Sequence, residues 1–408
     1  MVEKYDIVVR NARTRFFPNK LLDIGISDGR ISEIKERVES RGEFEINADG
    51  RLVTESFVNP HLHLCKVYTL RLVGEEALKS YREGTMGKAM TAIELASKVK
   101  ERYHEDWILE NVRKAIDLAV IHGITHIRAF ADTDTKARLE GVKALLKAKK
   151  EFEGLVDLQV VAFPQDGIIR DPGAEELVRK AVEIGADVVG GIPWIEYTDE
   201  DAEKHIDLML EIAKEYDKDV SMLVDDAGDP GLRTLEKLAV KTIKEGHQGR
   251  SLAHHARAMC LYPDPYFMKV VALLKMAKMG VVSDPHTGPL HARVKDLLRE
   301  GVTVALGQDD IADAYYPFGR NNMLEVAFLA SHLLWMTAFD EMEQLYDMIT
   351  KNPAKLMRIE NYGLREGAEA NLVVLNAKSV QEALMYHEPP TKVIKRGKLI
   401  AEGGRRIK

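Results

Sequence analysis

The chain has only two cysteines, Cys65 and Cys260, in 408 residues. That excludes a disulfide scaffold and fits a reducing compartment. It also lacks an excess of basic charge, with 58 Lys+Arg against 65 Asp+Glu and a formal net charge of −7. Nucleic-acid polymers and anionic membranes both call for a basic footprint, so neither is an expected partner. No segment is long and apolar enough to span a bilayer; the richest, 326–339, is broken by Ser331 and His332. The start, MVEKYDIVVR, has no apolar core of a secretory signal, and the expected location is cytoplasmic. No G-x-G-x-x-G follows the first strand and no Walker A sequence occurs, which removes the usual phosphate-cradling motifs. Gln and Asn are scarce, at 6 and 11, beside abundant Lys, Arg and Glu, a bias found in heat-adapted proteins.

What is present is ample core material, 45% apolar residues, and a strand-then-helix rhythm. Short β-rich runs lie at 57–61, 123–131, 158–165, 187–192, 219–225, 250–255, 280–283 and 302–308. Helical apolar periods lie between them at 137–150, 174–184, 202–216, 232–245, 266–279 and 290–299. Eight strands alternating with helices predict a parallel (β/α)₈ TIM barrel, an α/β fold. Both ends of the chain read as short antiparallel strands, with Asp28-Gly29 and Asp49-Gly50 as turns. The expected organisation is a composite β-sandwich from 1–55 and 361–408 around a barrel over 56–360.

In such a barrel the reactive groups collect where the strands end. His61 and His63 leave the first strand on one side, because side chains alternate with period two, and paired imidazoles begin a divalent metal site. Asp309 and Asp310 follow the eighth strand, where a carboxylate can ligate the same metal and take a proton from water. His254 and His255 end the sixth, Gln165 the third, Asp225 and Asp226 the fifth. The Gln amide suits the edge of an amide-bearing heterocycle, and the two carboxylates are general acid–base candidates. Each feature alone has a plainer explanation: solvated loop histidines, a helix-capping Asp, an ordinary loop Gln. Together they form a constellation for metal-assisted hydrolysis. Trp194 is read as a pocket wall or as packing, Lys66 as a solvated loop lysine, and Cys260 as a small core residue. A substrate role for His286 is the weaker of its two readings.

The segments FVNPHLH, LQVVAFPQDGI, LAHHARAM, LGQDDIADAYYPFGRNNML and YGLREGAEANLVVLN resemble the amidohydrolase superfamily. The resemblance is to the branch of cytosine deaminase and N-isopropylammelide amidohydrolase, and it runs from about Tyr5 to Gly404. It implies a hydrolase that takes an amino group off a small nitrogen heterocycle, a cytosine-like pyrimidine or an aminotriazine. It also implies one divalent metal ion, zinc or iron first, and is compatible with a homo-oligomer. By the resemblance His61, His63 and Asp309 are metal ligands, and Asp309 also handles protons. His255 polarises the water or the substrate carbonyl, and Asp226 stands where the branch has a proton-shuttling Glu. Gln165, Asp310 and Tyr315 line the ring pocket.

Three positions depart from that pattern. Leu223 stands where the branch has its fifth-strand metal-ligand His, Phe130 where a second-strand His is common, and Cys65 where Asp is usual. One reading is a working hydrolase with altered coordination, Cys65, His254 or His255 moving in to compensate. A second is a metal-free barrel that binds a ligand or partner without hydrolysis. A third is a cyclic amide hydrolase on the same scaffold.

Overall fold

The structure is a computed structural model that describes residues 5–81 and 86–407. Near the N-terminus β1 (Tyr5–Arg13), β2 (Leu21–Ser27), β3 (Arg30–Lys35) and β4 (Gly42–Asn47) form one sheet in the order β3-β2-β1-β4. β2 and β3 turn at Asp28 (φ 51°) and Gly29 (φ 72°), the left-handed pair a tight hairpin requires. The expectation of antiparallel strands throughout is corrected here, since β4 runs parallel to β1, from Tyr5↔Gly42 to Arg10↔Asn47. The Asp49-Gly50 turn therefore closes no hairpin; it carries the chain onward to β5 (Val53–Glu55), which lies in a different sheet.

The barrel follows as β6 (Phe57–Leu62), β7 (Ile124–Asp132), β8 (Asp157–Phe163), β9 (Val188–Gly191), β10 (Asp219–Val224), β11 (Ser251–His255), β12 (Val281–Ser283) and β13 (Val304–Leu306). They pair in sequence order, and every pair is parallel. β7 is buried at all nine residues, as expected of a parallel strand covered on both faces. Arg128 lies inside the barrel, bonded to Gln159 and to Ser221, and burial lowers its pKa to about 10. Between β6 and β7 come α1 (Leu70–Val73), α2 (Glu75–Tyr81), α3 (Met86–Lys100) and α4 (Glu105–Ile121). The outer ring continues with α5 (Glu140–Glu151), α6 (Ala174–Glu183), α7 (Asp199–Glu215), α8 (Thr234–Lys244), α9 (Asp264–Ala277), α10 (Val294–Arg299) and α11 (Met323–Leu333). Two further helices, α12 (Phe339–Asp347) and α13 (Lys351–Leu356), lead out of the barrel.

The last sheet orders β17-β16-β15-β14-β5, with β14 (Leu372–Val374), β15 (Lys392–Lys395), β16 (Lys398–Glu402) and β17 (Arg405–Arg406). Ile7, Val9, Ile24 and Ile46 of the first sheet share one core with Val53, Leu372, Val374 and Ile394 of this one. The two ends of the chain thus form a small β-sandwich. Within the C-terminal stretch, α14 (Val380–Tyr386) packs instead with the barrel helices, its Val380, Ala383 and Leu384 joining the barrel core.

Candidate active site

The barrel is closed through three of the candidate site residues. The Asp309 N–H donates to the His61 carbonyl at 2.9 Å, and the His63 N–H donates to the Asp309 carbonyl at 2.8 Å. This lacing between the first and last strands holds Asp309 with φ +64°, a strained value for a non-glycine residue. Its carboxylate Oδ1 lies 3.1 Å from His61 Nε2, 3.7 Å from His63 Nε2 and 3.8 Å from His255 Nε2. Its Oδ2 accepts from the Thr287 hydroxyl at 2.8 Å and is 3.6 Å from the Arg257 guanidinium. Burial works against the Asp309 charge, but His255, His61 and His63 hold it well below the usual carboxylate range. Burial lowers the pKa of both His61 and His63 and brings His255 down to about 4, leaving imidazole lone pairs available.

Of the residues singled out in the sequence, His61, His63, Gln165, Asp226, His255, Asp309, Asp310 and Tyr315 gather in this mouth, while Asp225 and His254 do not line its pocket. A pocket there has a polar side of His63, Gln165, Asp226, His255, Asp309, Asp310 and Tyr315, with the His61 ring 5.0 Å from that of His63. Its apolar side is Ile93, Ile192, Trp194 and Leu223. The two fifth-strand carboxylates separate by role. Asp225 accepts from the Thr234 N–H and hydroxyl at the start of α8 and from the Tyr262 hydroxyl, so it caps a helix and faces no substrate. Asp226 faces the pocket. Burial, then the charges of Asp309 and Asp284, push its pKa well up, and the Arg257 Nε stands 3.2 Å from its Oδ1. Asp310 is likewise pushed well up, by burial and by Asp309 and Asp313.

The departures have physical consequences. Leu223 pairs in register with His254 and offers the pocket only carbon. Phe130 lies 4.3 Å from the His61 ring and 5.2 Å from that of His254, bracing both. His254 Nδ1 is 2.7 Å from His61 Nδ1, so it orients that imidazole as a neighbour beyond the donor set. Cys65 makes no contribution: its sulfur accepts from the Asp132 N–H at 3.4 Å, its Cβ packs against Gly141 of α5, and burial raises its thiol pKa. Cys260 is exposed, contrary to the core reading. Lys66 is buried, contrary to the solvated reading, and its ammonium donates to the Gln165 carbonyl oxygen. Trp194 does wall the pocket. His286 stays outside it, 3.2 Å from the Gln308 carbonyl and edge-on to Tyr316.

Sequence reasoning missed Asp284 and Arg257. Asp284 directly follows the seventh strand, so the strand-end rule that found its neighbours could have found it. Arg257 had no such signal, because an Arg after a strand is ordinarily solvated.

Two sets of ligand atoms are each grouped within 4.8 Å: His61, His63 and Asp309, and His61, His255 and Asp284. All five residues are buried, and His255 Nδ1 and both Asp284 oxygens lack a side-chain hydrogen-bond partner among the described residues. Neutral imidazoles with carboxylates in a dry pocket fit a divalent cation, whose ligands must be deprotonated.

A closed parallel barrel with this donor set at its C-terminal mouth defines a metal-type hydrolase barrel. The chain belongs to the amidohydrolase family, whose profile matches residues 45–401. It is 33% identical over 403 residues to N-isopropylammelide isopropyl amidohydrolase of Pseudomonas sp. (strain ADP), covering 98% of each chain. It superposes on 5-methylcytosine deaminase from Klebsiella pneumoniae liganded with 5-fluorocytosine with a TM-score of 0.89 at 32% identity, covering 98% of each chain. N-isopropylammelide isopropylaminohydrolase from Burkholderia multivorans follows with a TM-score of 0.83 at 25% identity, over 98% of this chain and 99% of that one. Among the described residues no helix is long and apolar enough to cross a membrane.

Proposed function

We propose that the chain is a metal-dependent hydrolase that cleaves the exocyclic C–N bond of a small nitrogen heterocycle, an aminopyrimidine or aminotriazine. The observation that carries this reading is one pocket with three faces: the His61, His63 and Asp309 donors, the proton-handling pair Asp226 and His255, and the ring-reading group Gln165, Asp310 and Tyr315. The relatives named above carry names of heterocycle hydrolases, in agreement with it. A divalent cation held by His61, His63 and Asp309, zinc or iron by the nitrogen and oxygen character of the donors, supplies Lewis acidity. The chain's own residues do the rest. His255, neutral through burial, accepts a hydrogen bond from water. Asp226, shifted toward its acid form, donates a proton to the ring nitrogen or to the departing amine. Gln165 Nε2 donates to the Tyr315 hydroxyl at 3.0 Å, and its other N–H is left for a ring oxo group. Asp310, also shifted toward its acid form, offers an O–H to a ring acceptor. The wall of Ile93, Ile192, Trp194 and Leu223 favours a ring or amine that carries an alkyl group.

The test is metal analysis of protein purified without chelators, joined to a panel of aminopyrimidines and aminotriazines, with and without alkyl groups, scored for ammonia or amine release. The expected result is about one divalent ion per chain, lost in His61→Ala, and turnover of at least one oxo-bearing ring. Absence of metal uptake, or inertness of the whole panel in zinc- and iron-replete protein, overturns the reading.

A further inference from the structure

His61 belongs to both donor groups, yet it has one nitrogen to give. Its Nδ1 is engaged 2.7 Å from His254 Nδ1, which leaves Nε2. The two groups therefore describe the surroundings of one ion, not two independent sites. At the strand-five position of Leu223 that ion meets only carbon. On its strand-seven side it finds Asp284. This carboxylate is fully buried, no side chain donates a hydrogen bond to it among the described residues, and only the Gly307 backbone and the nearby Arg257 charge offset its burial. An unpaired buried carboxylate is costly unless a cation meets it.

The neighbouring distance points the same way. Asp284 Oδ2 lies 3.3 Å from His255 Nδ1, and that nitrogen has no hydrogen-bond partner among the described residues. A charge-assisted His–Asp hydrogen bond would be shorter, about 2.8 Å. Gly307 makes room for this placement, since a Cβ there would lie 2.5 Å from Asp284 Oδ1.

We propose that Asp284 is a metal ligand in this chain, taking the coordination that Leu223 does not provide, with His255 beside it left to act on water. The proposal rests on the metal-dependent reading above and assigns a residue of strand seven to the centre. It is tested by zinc affinity, measured in competition with a chromophoric chelator, and by the visible spectrum of the cobalt(II)-substituted protein. Asp284→Asn keeps an acceptor for His255 but removes the charge; it is expected to weaken zinc binding at least about 100-fold. Adding Leu223→His to Asp284→Asn supplies an imidazole on the strand-five side and is expected to return affinity to within about tenfold of the original. Asp284→Cys, loaded with cobalt(II), is expected to show an intense sulfur-to-metal charge-transfer band, and it serves if the Asn variant does not fold. Unchanged zinc affinity and cobalt spectrum in Asp284→Asn, or no sulfur band in Asp284→Cys, overturns the proposal and leaves Asp284 as a group that only orients His255. If the unsubstituted protein takes up no divalent cation, the functional reading itself falls; if it does and Asp284→Asn matches it, only this assignment falls.

Discussion

Lys66 constrains the ring-reading group proposed for the pocket. Its ammonium donates to Gln165 Oε1, stands 3.8 Å from the Asp132 carboxylate and sits over the Tyr315 ring at 5.2 Å. With its carbonyl occupied by Lys66, the Gln165 amide can turn only its N–H side toward a ligand. Lys66→Met strips that constraint and leaves a buried carbonyl and a carboxylate without their cation. A lost charge-assisted hydrogen bond costs about 1.5–3 kcal/mol. KM for an oxo-bearing ring is therefore expected to rise roughly 10- to 150-fold, with metal content unchanged. Steady-state kinetics beside metal analysis check this, and an unchanged KM removes Lys66 from substrate recognition. At this scale legibility tracked position. His61, His63, Gln165, Asp226, His255 and Asp309 stand at or just beyond strand ends, where the barrel rule makes side chains converge. Lys66 and Arg257 escaped because a long basic side chain looks the same in sequence whether it is solvated or buried. What buries Lys66 is Asp132, Gln165 and Tyr315, drawn from three other strands' ends.

The loop after β8 is held from both flanks. On one flank Glu196 Oε1 accepts from the N–H groups of Ile168 at 2.6 Å and Ile169 at 3.2 Å, while Oε2 accepts from Arg170 at 3.0 Å. His205 Nδ1 lies 2.7 Å from the same carboxylate, and its Nε2 accepts from the Ile192 N–H at 3.1 Å. Both side chains are wholly buried. Gly167, at φ +95°, gives the loop the left-handed turn it needs to wrap the carboxylate. On the other flank Asp166 accepts from Ser97 and from Lys100 of α3, each at 2.7 Å, and the same helix brings Ile93 to the pocket. Glu196 and His205 are thus positioning residues for Gln165 and Ile192. In Glu196→Gln the amide cannot accept from three N–H groups and from His205 at once. We expect a KM increase of about tenfold and a lower melting temperature, with a stability loss of about 1–3 kcal/mol. The discriminating measurement is a double-mutant cycle: in a Gln165→Ala background the KM effect of Glu196→Gln should shrink to under about twofold. Full additivity would make the clamp a matter of general stability alone. The eight strands and the six helices α5 to α10 were legible because parallel strands buried on both faces read as apolar runs between amphipathic helices. α3 was not legible, since its buried residues mix Ala92, Ile93 and Val99 with Ser97 and Lys100, and a mixed face shows no apolar stripe.

Far along the chain from these loops, the sandwich is fastened to the barrel by charge. Lys395 of β15 is fully buried, bonded to Asp157 of β8 and 3.3 Å from both the His126 ring and the Thr125 carbonyl of β7. The joining of both termini in one sandwich was legible from the matching β character of the two ends. The parallel β1–β4 pairing was not, because strand direction is set by where the connection runs and not by the residues in the strand. This fastening contributes, with the other buried histidines such as His122 and those of the pocket, to a dependence of the whole molecule's stability on pH in a definite direction. Burial and then Lys395 push His126 down to about 4, and burial and then Arg320 push His122 down to about 4. In the unfolded chain each histidine titrates near ~6.5. Between those values the unfolded state binds more protons than the folded state, so stability rises with pH through the window and is lost as pH falls from ~6.5 toward 4. Asp157 adds to the loss at the acid end. Burial opposes its charge, but His126 and Lys395 hold it below the usual range, so its contribution is present above its unfolded pKa and fades as pH falls further. Urea midpoints of metal-free protein should therefore hold steady above about pH 7 and decline steadily toward pH 4.5. His126→Gln removes one of the titrating groups; whatever it does to the plateau, it should flatten the decline by up to one proton's worth of slope, about 1.4 kcal/mol per pH unit. A slope equal to that of the unsubstituted protein would show that the acid sensitivity arises elsewhere than at this junction.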